Sequence, residues 1–90
     1  MIEVENPRDL LVKQMLKDTI VEDAEYDRIY SNVYKTDGSL RVKFWNVKSK
    51  IGLKSIKKKL EQLDLGQVDV IVGANRKNSI AVYIPRAKVM

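Results

Sequence analysis

The chain has 90 residues, of which 44% are hydrophobic and 32% charged, and its formal net charge is +5. This balance describes one globular domain over residues 1–90 with a modest core, and excludes a disordered segment. Cysteine and histidine are absent, so a disulfide framework, a thiolate nucleophile, the usual zinc or haem ligands and the commonest acid–base catalyst are all excluded.

Asn6-Pro7 opens the first predicted element. Asn6 suits an N-cap, Pro7 the first helical position, and Asp9 the positive end of a helix dipole. Leu11, Val12, Met15, Leu16, Thr19 and Ile20 recur at helical spacing, which predicts a helix over 7–21 with these residues buried. Glu22, Asp23, Glu25 and Asp27 follow within six residues. They lack the spacing and the glycine of a calcium loop, so a solvated acidic connector is expected and no metal site.

Residues 28–35 and 39–46 alternate with a period of two, and Asp37-Gly38 between them signals a hairpin. Leu40, Val42 and Phe44 belong on the core face with Ile29, Ser31 and Val33. The outward face then carries Arg28, Tyr30, Tyr34, Arg41, Lys43 and Trp45.

Leu53, Ile56, Leu60 and Leu63 form the apolar stripe of a second helix, with Ser49 or Ser55 as its cap and Gly66 as its stop. Lys50, Lys54, Lys57 and Lys58 gather on its exposed side. Lysines and serines at a helix N-terminus suit a phosphate, although the P-loop pattern is absent. Residues 67–73 are apolar enough for an interior strand. Residues 75–78 form a polar turn whose Arg76 and Lys77 extend the basic region. Residues 79–84 form a last strand, with Ile80, Val82 and Ile84 on one face and Tyr83 on the other, and Pro85 ends it.

The resulting order is αββαββ. Two helices with one apolar stripe each cover one face of a four-stranded, mainly antiparallel sheet, which gives a two-layer α+β sandwich with its other face open. No apolar run approaches the ~18 residues of a membrane span, and MIEVENPRD lacks the order of a signal peptide, so a cytoplasmic protein, or a nuclear one where the source has a nucleus, with no membrane partner is expected.

Charge is unevenly placed. Residues 1–34 hold four cations against eight anions, and residues 35–90 hold thirteen against four. Within residues 39–66 alone, eight cations meet two anions, a net charge of +6. One consequence is attraction between the two halves; the other is a polyanionic partner. The sequence therefore points to nucleic-acid binding, with phosphate contacts from Lys50, Lys54, Lys57, Lys58, Arg76 and Lys77, and Lys48 beside them. Trp45, flanked by Arg41 and Lys43, would supply stacking, or would instead fill a second small core with the tyrosines while the basic groups reach past them. An interaction module or inhibitor docking a basic face on an acidic protein is the alternative. A metal-independent ribonuclease using Lys, Arg and Tyr is a weaker one, since no spacing enforces an acid–base pair. No catalytic residue and no cofactor is indicated, and the pattern is compatible with a homodimer.

Overall fold

The computed structural model describes residues 7–34 and 36–86, apart from the side chains of Arg8 and Arg76. In order, the elements are α1 (Pro7–Ile20), β1 (Ala24–Glu25), β2 (Arg28–Val33), β3 (Leu40–Trp45), β4 (Lys48–Ser49), α2 (Leu53–Glu61), β5 (Gln67–Ile71), a 3₁₀ turn (Ala74–Arg76) and β6 (Ser79–Ile84). Strands β2, β3, β6 and β5 form, in that spatial order, one fully antiparallel sheet. Strands β1 and β4 form a separate two-residue ladder. The expected two-layer α+β arrangement is observed.

Alternation decides which face is buried. Leu40, Val42 and Phe44 of β3 face Ile84, Val82 and Ile80 of β6, and all six are buried. Val12, Leu16 and Ile20 of α1 and Ile56 and Leu60 of α2 close the same cluster, so both helices lie on this face. Tyr26 packs edge-on against Phe44, with ring centroids 5.1 Å apart. No helix among the described residues is long and apolar enough to cross a membrane.

Several expectations are corrected. The buried stripe of α1 is narrower than the apolar pattern, because Leu11 is 70% and Met15 46% exposed. The line Val12, Leu16 and Ile20 meets the core, and among the described residues nothing covers the flank beyond it. Asn6, the expected cap of α1, lies outside the described residues. Gly52 occupies the N-cap of α2 and makes no side-chain cap bond; Ser55 lies inside the helix, and the Ser49 hydroxyl accepts a bond from the Ile51 N–H at 3.2 Å.

The stop of α2 is Asp64 rather than Gly66. Asp64 adopts the left-handed conformation at φ 53°, which ends the helical run. Gly66 serves a tertiary purpose, since a Cβ there would sit 1.8 Å from the Tyr83 carbonyl oxygen. Only a residue without a side chain lets the chain pass this close to β6 before β5 begins. Finally, β5 is an edge strand and not an interior one, since its single neighbour is β6. Its apolar residues are divided between the core (Val68, Val70) and partial exposure (Ile71).

The acidic connector is anchored as well as solvated. Glu25 pairs with Lys48 across the β1–β4 ladder, and the Asp23 carbonyl accepts the Lys50 N–H at 2.7 Å. The Lys59 ammonium donates to the Asp23 carboxylate, and this bond raises the pKa of Lys59 above its ordinary value. Attraction between the acidic and basic halves is thus realised in the Lys59–Asp23 ion pair.

Candidate nucleic-acid interface

The open face of the sheet is built by the residues that alternate with the core. Strand register sets them in rows. Arg28 lies opposite Trp45, Tyr30 opposite Lys43, and Asn32 opposite Arg41. On the next strand, Arg41 lies opposite Tyr83 and Lys43 opposite Ala81. The outer strand adds Gln67 beside Tyr83 and Asp69 beside Ala81. All of Arg28, Tyr30, Arg41, Lys43 and Trp45 therefore share one face, as the hairpin pattern predicts.

On this face cations lie over aromatic rings. Lys Nζ of residue Lys43 is 3.7 Å from the Trp45 ring centroid, and the Arg28 guanidinium carbon is 5.1 Å from it. The Arg41 guanidinium lies 5.6 Å from the Tyr83 ring. Trp45 is thus flanked by Arg28 and Lys43, while Arg41 pairs with a different aromatic. Ala81, between Lys43 and Asp69 in the register, is fully covered. Partial desolvation, followed by the neighbouring Arg41, lowers the pKa of Lys43.

Beyond Trp45 the face opens into a recess of about 410 Å³, lined by Arg28, Lys43, Trp45, Asn46, Ile71 and Lys77 among others. Local backbone chemistry shapes it. Asn46 takes a left-handed conformation at φ 53°, and its amide donates to Asp27 Oδ2 at 2.5 Å. The Asp27 N–H donates to the Trp45 carbonyl at 2.9 Å, which ties the start of β2 to the end of β3. The Val47 N–H donates to the Asn78 carbonyl at 2.7 Å, tying the residue after Asn46 to the loop before β6. Gly73 lets the loop fold back on itself, since a Cβ would meet the Lys77 carbonyl at 2.4 Å. Lys77 is thereby brought beside Trp45, 32 positions away in the chain.

The expected residues do not form one surface. Arg41, Lys43, Trp45 and Lys77 belong to the open face and its recess. Lys50, Lys54, Lys57 and Lys58 belong to α2 and its approach, in the helical layer on the other side of the sheet. Lys48 lies in the β1–β4 ladder opposite Glu25. The side chain of Arg76 lies outside the described residues. The split is unavoidable: Ile56 and Leu60 of α2 share one core with Leu40, Val42 and Phe44, so the alternate residues of β3 must point away from the helical layer.

Arg28, Asn46, Ile71 and Tyr83 join the site beyond the expected set. Of these, Arg28 and Tyr83 were legible from strand alternation, whereas Asn46 and Ile71 have no local signal. Among the described residues no group of three or more carboxylates converges as a metal site. Comparison with protein-family models, with curated proteins and with solved structures returns no match.

Proposed function

We propose that this protein binds single-stranded nucleic acid on the open face of its sheet, with one base seated at the Trp45 recess. The observation that carries this reading is the grouping of Trp45 with three cations, Arg28, Lys43 and Lys77, around one concavity. Single-strand binding requires a cationic track for phosphates and an aromatic surface for bases, and this face offers both. The indole already carries Lys43 and Arg28 against its ring. A base reaching Trp45 exchanges with one of these cations, which is then released to the phosphate attached to that base. Arg41 and Tyr83 continue the same alternation across β3 and β6. The cytoplasm, where such strands are accessible, is the proposed site of action.

The test uses Trp45 as reporter, because it is the chain's sole tryptophan. Titration with an oligodeoxythymidylate at low salt is expected to quench its fluorescence and to raise the anisotropy of a labelled strand. Unchanged fluorescence with unchanged anisotropy overturns the reading.

A second reading attaches to α2. Its exposed Lys54 and Lys58, with Lys50 before them, are separated by the whole sheet from Trp45. Such a patch offers charge without stacking, which suits an acidic protein surface. Binding to one acidic protein that Lys54→Gln and Lys58→Gln abolish, without any effect of Trp45→Ala, would favour it.

A further inference from the structure

The sheet ends in two open edges, β2 and β5. Hydrogen-bond parity shows what β2 presents. The Tyr34 N–H donates to the Ser39 carbonyl at 2.9 Å, so this opposed pair is a hydrogen-bonded one. Counting back in steps of two along the register, Asn32, Tyr30 and Arg28 also direct their backbone groups at β3. Ile29, Ser31 and Val33 therefore direct theirs outward, where no strand among the described residues pairs with them. This edge contains no proline or lysine, and its one charged residue, Arg28, stands at its end. Val33 is 45% exposed, and Tyr30 is exposed as well. Such an edge is a template for another strand.

We propose that two copies of this chain pair through β2, antiparallel about a two-fold axis at Ser31, into one continuous eight-stranded sheet. Symmetry and side-chain parity restrict the register to opposed residues on the same face. Centring on Ser31 sets Ser31 against its own copy, Ile29 against Val33, Tyr30 against Asn32, and Arg28 against Tyr34. All three outward-directed residues then exchange both backbone bonds, the exposed Val33 gains an apolar partner, and no like charges are opposed.

The helical layer favours the same edge. α2 packs on β5, and α1 packs against α2, so α1 occupies the half of the layer nearer β2. Pairing through β2 brings two copies of α1 together. That helix carries three cations and two anions and exposes Leu10, Leu11 and Met15 beside a shallow groove. A stable interface buries ~1,200–2,000 Å² in total, more than a six-residue ladder supplies, and these uncovered apolar side chains extend the contact. Pairing through β5 would instead bring together two copies of α2, with four lysines and one glutamate each. In the β2 dimer all four helices lie on one side, and the two basic, aromatic faces join on the other.

Light scattering after size exclusion, across the micromolar to sub-millimolar range, should give twice the 10.4 kDa of one chain. Because the chain lacks cysteine, the register can be read by cross-linking. An opposed, hydrogen-bonded Cα pair is ~5.5 Å apart, within the reach of a disulfide, so Ser31→Cys should oxidise rapidly to a covalent dimer. Tyr30→Cys, displaced by two positions from its own copy, should do so at least tenfold more slowly. Val33→Lys alters an exposed side chain and should shift the wild-type dimer to monomer. A monomer at every concentration overturns the proposal. So does a dimer in which Ser31→Cys cross-links no faster than Tyr30→Cys, and so do open-ended assemblies, which indicate β2 adding to β5 instead.

Discussion

Replacing Trp45 by alanine separates the two roles an aromatic residue can play in a domain this small. A fully buried tryptophan costs about 3–5 kcal/mol on truncation. Trp45 is of intermediate exposure and lies outside the core cluster, so only part of that packing loss applies. What it loses is the contact with Arg28 and Lys43, at about 0.5–1 kcal/mol for each exposed cation–π pair. Its surface, most of which is covered, adds a comparable or larger amount, so the expected destabilisation is about 2–3 kcal/mol, or roughly 8–24 °C in Tm. The loss of one stacked base costs about 1–3 kcal/mol of binding, or roughly 5- to 150-fold in Kd. Circular-dichroism melts give the first quantity. Anisotropy of a labelled oligodeoxythymidylate, measured well below the melt, gives the second. An affinity within twofold of wild type in the folded variant refutes stacking at Trp45, and a destabilisation above about 4 kcal/mol refutes its placement on the open face.

Affinity for single strands should fall with salt at about 0.7 log units per log unit for each phosphate neutralised, and a flat salt response would exclude phosphate contacts. Lys54→Gln, Lys57→Gln and Lys58→Gln combined should leave the Trp45 quench intact, because α2 lies across the sheet from the recess; a lost quench would join the two surfaces. Gly66→Ala forces a Cβ to 1.8 Å from the Tyr83 carbonyl. It should destabilise by about 1–3 kcal/mol or more through backbone displacement, measured by urea unfolding. The Lys59–Asp23 bond raises the Lys59 pKa, so its stabilisation is present below the unfolded value of about 10.4 and is lost as pH rises through the higher folded value. Lys59→Gln should accordingly be less stable than wild type at neutral pH, with the difference closing at alkaline pH. Hydrogen bonds from the Ser39 hydroxyl and N–H lower the Asp37 pKa, so this contribution is present above about pH 3.9 and is lost as pH falls through the folded value. Ser39→Ala should reduce the acid dependence of stability below that pH.

Where chemistry is local, the amino-acid sequence by itself was sufficient. Period-two alternation in residues 28–33 and 40–45 places Trp45, Lys43 and Arg41 on one face and Phe44, Val42 and Leu40 on the other, because successive side chains of a strand must alternate. The apolar stripe of α2 and the order αββαββ follow from the same short-range rules. The ladder between β1 and β4, two residues on each side, is too short to impose a periodicity and has no such signature. What only the tertiary structure decided depends on which elements become neighbours. It moved β5 to the edge, left Leu11 and Met15 uncovered, assigned Gly66 to the close approach with β6, and carried Lys77 to Trp45. It also divided a run of cations that is continuous in the chain. A helix that packs on one face of a strand necessarily leaves that strand's alternate side chains on the far side, so Lys43 and Lys54, eleven residues apart, serve different surfaces.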